Sequence, residues 1–200
     1  VERLRVHPDI VADFGAPVRA HEKMLPVSCK KAPSGELIYD FGQNFAGVIC
    51  AKLSGKKGQK VVFRHAEILK ENGELCTEPL RSAKATATYI CRDGEQQYSP
   101  RFTYMGFRYV GVSGIEEDSL ELSALALYSD LRRTGMFECS DVMLNKLQSN
   151  IIWGAKSNFM DIPTDCPQRD ERMGWTGDIA VFGSTACYNF DMSRFLSLIH

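Results

Sequence analysis

The chain has 200 residues, 44% of them hydrophobic, and is long enough to bury the core of one domain, or of one domain and part of another. Its 24 Lys and Arg residues against 25 Asp and Glu give a net charge of −1, which provides no electrostatic reason to expect nucleic acid or an anionic membrane as a partner. Because no apolar run approaches the roughly 18 residues that cross a bilayer, the sequence also excludes a membrane-spanning helix.

Seven cysteines are spread along the chain without a C-x-x-C pair, and their number is odd. This pattern is typical of reduced thiols rather than of a disulfide framework or a zinc site. It favours a reducing cytoplasm, while a periplasmic or secreted location stays open. We therefore expect neither a metal nor a cofactor.

Residues 1–35 are predicted to be a linker or an edge segment, and residues 36–131 a mainly antiparallel β-sandwich. Short runs rich in β-branched and aromatic residues alternate there with Gly, Pro, Asn and Asp turns, as strands at close spacing do. The predicted strands are ELIYDF, AGVICAKL, QKVVFRHAEIL, ATATYIC, FRYVGVSG and LELSALALY.

Residues 132–200 change to a helical period and predict an α-helical segment. Ser140 or Asp141 is placed to cap the first helix, whose apolar face would contain Val142, Leu144, Leu147, Ile151 and Ile152. A second helix is predicted over Ile179–Ala186, and a third begins near Asp191 and still continues at the last residue. Because an apolar helical face needs partners, we expect this segment to be the truncated start of a larger domain.

An acidic segment, DIPTDCPQRDERMGWTGD at residues 161–178, lies between the first two predicted helices. It holds four Asp and one Glu against two Arg. Its two prolines and two glycines oppose helix formation, so it is predicted to be a loop. Loops held by rigid elements are where binding and catalysis concentrate.

Residues of this kind could serve several chemistries. Cys166 and Arg172 have the C-x5-R spacing of a phosphate-binding thiolate loop, but Asp170 and Glu171 inside it would repel a phosphate. The four aspartates offer oxygen ligands for calcium, but they lack the spacing of a helix-loop-helix calcium site. An Arg–Asp network that only ties the loop to its helices is the simplest alternative.

Sugar chemistry fits the segment best. A glycosidase needs a carboxylic acid to protonate the glycosidic oxygen, further carboxylates for the ring hydroxyls, and an aromatic platform. Glu171, the neighbouring aspartates and Trp175 supply these groups. The negative charges around Glu171 are expected to favour its protonated form, which a general acid needs near neutral pH.

The acidic segment resembles the signature of the bacterial α-L-rhamnosidases of glycoside hydrolase family 78. YDFGQNFAGV, RHAEIL, SPRFTYMGFRYV and RTGMFECSD resemble other motifs of that family, in the order in which the family has them. The resemblance runs from about Tyr39 to the end of the chain.

This resemblance implies a β-sandwich that leads into an (α/α)6 barrel, and inverting hydrolysis of terminal, non-reducing α-L-rhamnose. The substrate would be a rhamnose-containing oligosaccharide or a plant glycoside. Matched within the motif, Glu171 corresponds to the general acid, Asp165 and Asp178 to residues that bind the rhamnose hydroxyls, and Trp175 to an aromatic residue of the sugar pocket.

Arg169 and Asp170 belong to the same motif and are expected to support the substrate-binding loop, while Cys166 is expected to be a packing residue. An inverting enzyme also needs a base roughly 6.5–9.5 Å from the acid. The resemblance implies a base beyond His200, so the remainder of the barrel is an expected partner and the chain is expected to be inactive alone.

A rival function is a carbohydrate-binding or purely structural β-sandwich with no activity of its own. Tyr104, Phe107 and Tyr109 could present aromatic surface for a sugar, although strand alternation places some of them in the core. On another strand, His65 and Glu67 share one face and are expected to make a polar contact to a neighbouring domain.

Overall fold

The computed structural model describes residues 9–10, 12–13 and 15–197, in which strands come first and helices follow. Short 3₁₀ turns cover Glu78–Leu80 and Glu117–Ser119. The strands before residue 130 are β1 Val18–Met24, β2 Ser28–Lys31, β3 Leu37–Gly55, β4 Lys60–Ala66, β5 Ile68–Leu69, β6 Leu75–Cys76, β7 Thr86–Ile90, β8 Gly94–Tyr98, β9 Met105–Ser113 and β10 Leu120–Ser129.

Eight of these strands form one curled antiparallel sheet in the order β1-β10-β3-β9-β4-β7, with β2 and β8 also pairing with β3. The long strand β3 thus pairs with four other strands. Its pairing with β9 shifts register between Asp40 and Phe45. The short strands β5 and β6 form a separate pair. The prediction of a mainly antiparallel β fold followed by helices is confirmed.

The core of the β domain follows from the two-residue period of its strands. In β4, Val61, Phe63 and His65 face inward and are almost completely buried, while Arg64 between them pairs with Glu36 at 3.3 Å. Phe107 of β9 is also fully buried, and its ring packs edge-on against that of His65. Apolar faces of β3, β4, β7, β9 and β10 share this core.

Phe107 lies in the core, as strand alternation predicted for some of the three aromatics, and offers no surface for a sugar. The expectation for His65 and Glu67 is wrong. His65 does not contact a neighbouring domain, because it is buried and its Nδ1 lies 2.8 Å from the carbonyl oxygen of Ala85. Glu67 accepts a hydrogen bond from Asn44 at 2.8 Å, also within the β domain.

Strands β1 and β2 lie in the predicted linker or edge segment, and the strand order places β1 at one end of the sheet. The sheet therefore begins before residue 36. The last strand ends at Ser129 and the first helix begins at Val142. The predicted domain limits at residues 36 and 132 stay predictions.

The helices are α1 Val142–Asn158, α2 Thr176–Asn189 and α3 Ser193–Ser197. Asp141 caps α1, since its carboxylate accepts hydrogen bonds from the backbone N–H groups of Met143 and Leu144. Asp191 accepts hydrogen bonds from Ser193 at the start of α3. The expected continuation of α3 to the last residue lies outside the described residues.

After residue 140 we expected only helices and the acidic loop, but this region also contains strands. Two-residue strands β11 Phe159–Met160 and β12 Ile162–Pro163 form a small hairpin directly after α1. Asp161 stands at the turn with a φ of 70° and donates its backbone N–H to Ser129 of the sheet. The hairpin thus fastens the start of the acidic segment to the β domain.

Helix α1 is fixed to the sheet by a partly buried polar cluster. Lys156 pairs with Glu22 of β1 at 2.5 Å and lies over the rings of Tyr128 and Trp153. Burial acts to raise the pKa of Glu22, but hydrogen bonds from Lys156 and Tyr128 outweigh it and hold that pKa below its usual value.

Several apolar side chains of the helices remain exposed. The predicted face of α1 is only partly buried, because Ile152 packs inside while Val142 and Leu147 are exposed; Val181 of α2 is exposed as well. None of the described helices has the length and apolar character needed to cross a membrane.

Candidate functional site

The acidic segment forms a closed loop between β12 and α2. Its neck is held by a bridge between Thr164 and Gly174, by a hydrogen bond from the backbone N–H of Asp165 to the carbonyl of Met173, and by one from Met173 N–H to the Asp165 side chain at 3.0 Å. The loop ends at Trp175, so Asp178 belongs to the first turn of α2 rather than to the loop.

The loop rests on strand β9 through Gly106. A Cβ atom at Gly106 would lie 2.8 Å from the Pro167 ring and 2.9 Å from the backbone nitrogen of Gln168. Only a residue without a side chain permits this approach. Nearby, Arg172 lies over the ring of Tyr104, with 4.7 Å between the guanidinium carbon and the ring centre.

Glu171, the predicted general acid, lies between two arginines. Its Oε1 is 2.5 Å from Nη1 of Arg81, which comes from the β domain, and its Oε2 is 2.9 Å from Nε of Arg169. The second contact is an ion pair without hydrogen-bond geometry. The Glu171 side chain is one-third exposed, so both ion pairs are partly open to solvent.

Asp165 and Cys166 complete the surroundings of Glu171. The carboxylate oxygens of Asp165 and Glu171 and the sulfur of Cys166 all lie within 4.8 Å of one another. Partial burial acts to raise the pKa of Asp165, but hydrogen bonds from the Cys166 thiol and the backbone N–H of Met173 hold it below its usual value.

The same three ligand atoms have the spacing of a cation site, but arginines already neutralise the cluster. Arg169 and Arg81 both contact Glu171. The interaction of Arg169 with Cys166, and to a smaller extent that with Glu171, raises the pKa of the Arg169 guanidinium. The buried Cys166 therefore packs as expected and also takes part in the polar cluster.

The expectation that like charges surround Glu171 is wrong in one respect. One carboxylate, Asp165, lies beside Glu171, but the direct contacts of its two oxygens are with guanidinium groups. The simplest alternative was an Arg–Asp network that ties the loop to its flanking helices. The observed network ties the loop to the β domain instead.

Asp170 turns away from this cluster toward the β domain. Its Oδ2 accepts hydrogen bonds from the hydroxyl of Ser82 and, at 3.4 Å, from the backbone N–H of Ser82. The hydrogen bond from the Ser82 side chain lowers the pKa of Asp170. Asp170 thus supports the loop.

Trp175 and Asp178 lie on the other side of the loop. Trp175 precedes α2 and exposes 52% of its surface. Asp178 and Asp165 both line a cavity of about 600 Å³ between α1 and α2, together with apolar residues of both helices. Glu171 and Trp175 do not line this cavity. Asp165 lies close to both the predicted acid and the cavity.

Sequence reasoning missed Arg81 and Ser82, which lie about 90 positions before their partners. They follow a 3₁₀ turn, and the φ of Arg81 is 54°. No pattern in the sequence marks a non-glycine residue for this conformation, so only the folded chain reveals the contact.

Two family models match the chain. The bacterial alpha-L-rhamnosidase concanavalin-like domain matches residues 30–128, and the bacterial alpha-L-rhamnosidase 6 hairpin glycosidase domain matches residues 132–199. Together they cover the β domain and the helical segment, including the whole acidic segment.

Curated relatives carry the same name. An alpha-L-rhamnosidase of Streptomyces avermitilis is 43% identical over 195 residues, which is 96% of this chain and 19% of that protein. One of Formosa agariphila is 45% identical over 163 residues, which is 79% of this chain and 18% of that protein. The chain thus spans about a fifth of the length of the curated relatives it matches.

Solved structures agree with this. The Streptomyces avermitilis alpha-L-rhamnosidase complexed with L-rhamnose superposes with a TM-score of 0.90 at 43% identity, covering 94% of this chain and 19% of that one. The enzyme of Dictyoglumus thermophilum superposes with a TM-score of 0.87 at 40% identity, covering 92% and 21%.

Proposed function

Because the chain belongs to the bacterial α-L-rhamnosidase family, we propose that it is part of a longer glycoside hydrolase that releases terminal, non-reducing α-L-rhamnose. The substrates would be rhamnose-containing oligosaccharides or plant glycosides. The observation that carries the proposal is the likeness to named rhamnosidases, which extends over 96% of the chain and so includes the acidic segment.

In the proposed mechanism, Glu171 donates a proton to the glycosidic oxygen as the bond to the leaving group breaks. Asp165 and Asp178 accept hydrogen bonds from the rhamnose hydroxyls. This assignment is supported by their shared position on the cavity between α1 and α2. Exposed Trp175 offers its ring to the sugar's C–H face.

Glu171 is held in place by the guanidinium groups of Arg81 and Arg169, which contact its two carboxylate oxygens. Asp170 stabilises the loop through Ser82. These contacts set the orientation of the acid.

The water that attacks the sugar needs a second carboxylate on the opposite face, roughly 6.5–9.5 Å from the acid in an inverting enzyme. We assign this base to the remainder of the (α/α)6 barrel, beyond the present chain. Exposed apolar residues of α1 and α2, such as Val142 and Val181, are surfaces that the rest of such a barrel would cover.

The test is an assay of the full-length protein on an aryl α-L-rhamnoside, with the matching aryl α-D-mannoside as the control sugar. Proton NMR should detect β-L-rhamnose as the first product, because inversion turns an α bond into a β anomer. Failure to release rhamnose would refute the activity, and α-L-rhamnose as the first product would refute inversion alone.

A further inference from the structure

Residues 77–85 of the β domain form a loop that reaches the acidic segment. The 3₁₀ turn Glu78–Leu80 opens the loop, and Leu80 is 2% exposed, so the turn is fixed in the core. Two non-glycine residues then adopt positive φ, Arg81 at 54° and Ala85 at 43°. Such residues are uncommon, and they persist only where the surrounding structure holds them in place.

The far end of the loop is anchored from beneath by His65. The carbonyl oxygen of Ala85 accepts a hydrogen bond from the backbone N–H of His65 at 3.0 Å and lies 2.8 Å from its Nδ1. Both ends of the loop are therefore held by buried residues of the β domain, while Arg81 and Ser82 between them are exposed on the side of the acidic segment.

Arg81 and Ser82 contact adjacent residues of that segment. Arg81 reaches Oε1 of Glu171 at 2.5 Å, and Ser82 binds Asp170 through both its hydroxyl and its backbone N–H. Arg169 meets the other carboxylate oxygen of Glu171. The Glu171 side chain is thus held from two sides, once by its own loop and once by the β domain.

We propose that Arg81 is a positioning residue for the general acid, supplied by the β domain. Its guanidinium fixes the orientation of the Glu171 carboxyl. This inference rests on the proposed function, and it gives the β domain a direct part in catalysis beyond that of a structural spacer.

The test uses the full-length protein with Arg81→Gln, which keeps the chain length but removes the charge, and Arg81→Lys, which keeps the charge. The matched control is Arg92→Gln, at an exposed arginine in the turn between β7 and β8. For each variant, kcat and KM are measured on a rhamnoside with a poor leaving group and on one with a good leaving group, and its Tm is measured.

Arg81→Gln should lower kcat by about 10- to 100-fold on the poor leaving group with little change in KM, and by much less on the good one. Arg81→Lys should restore most of the lost kcat, and Arg92→Gln should match the unmodified protein.

Equal losses on both substrates, or a lower Tm alone, would overturn the inference and leave Arg81 a structural role. If the unmodified full-length protein did not release rhamnose, the proposed function would fall, and the positioning role with it. Activity in the unmodified protein together with an unchanged kcat in Arg81→Gln would overturn the inference alone.

Discussion

The buried histidine of β4 should make the β domain less stable as the pH falls. Burial lowers the pKa of His65 from 6.5 to about 4, assisted by the positive charge of Arg172 and opposed by the hydrogen bond to the Ala85 carbonyl. Because the folded pKa lies below the unfolded one, the unfolded chain binds a proton first. Stability is therefore complete above about pH 6.5 and is lost as the pH falls toward 4.

The magnitude follows from the same values for His65. The difference between 6.5 and about 4, at about 1.4 kcal/mol for each pH unit, gives a total of about 3 kcal/mol. Between pH 7 and pH 5 the free energy of unfolding should fall by about 2 kcal/mol from this residue alone. His65 also anchors the loop that carries Arg81.

Urea unfolding of the chain, measured at half-unit steps from pH 7 to pH 5, tests this. The side chain in His65→Gln cannot take up a proton in this range. The variant should be less stable than the unmodified chain at pH 7, but the fall of about 2 kcal/mol in its free energy of unfolding between pH 7 and pH 5 should be absent. Phe63→Leu, at another buried position on the same face of β4, should lower stability and keep the full pH dependence. If His65→Gln kept the pH dependence of the unmodified chain, the assignment to His65 would be refuted.

Three further predictions concern the loop and the whole enzyme. Gly106→Ala should displace the loop from β9 at Pro167 and destabilise the chain by about 1–3 kcal/mol in a urea titration. The comparison is Gly73→Ala: the positive φ of Gly73 strains the backbone of an alanine, but the turn has open space for its Cβ atom. Asp165→Asn and Asp178→Asn should each reduce kcat/KM of the full-length protein to a similar degree on good and poor leaving groups, because the sugar hydroxyls are the same in both; a loss that depends on the leaving group would argue against sugar binding. The 200-residue chain should show no turnover on an aryl α-L-rhamnoside that the full-length protein hydrolyses, and comparable rates would mean that the base lies within this chain.

The β domain was the part of the fold that sequence patterns predicted well. Its strands alternate with period two, and the buried positions of β4 follow that alternation through Val61, Phe63 and His65. The short hairpin β11–β12 was missed, because two-residue strands carry no periodic signal. The hairpin depends on tertiary contacts such as that of Asp161 with Ser129.

The residues of the acidic segment could be selected from the sequence because they are neighbours in one motif. Their partners could not be selected, because Arg81 and Ser82 reach Glu171 and Asp170 only once the β domain has folded. The local count of carboxylates therefore gave the wrong immediate environment for Glu171. Long-range ion pairs leave no trace in the composition of a segment.

The most direct test of the account is the dependence of Glu171→Gln on the leaving group, measured in the full-length protein. The amide keeps the shape of the side chain but has no proton to donate, so kcat should fall by roughly 10²- to 10⁴-fold on a rhamnoside with a poor leaving group. The loss should be much smaller on an aryl rhamnoside whose leaving group departs without protonation. Equal losses on both substrates, with fold and substrate binding intact, would contradict the assignment of Glu171 as the general acid.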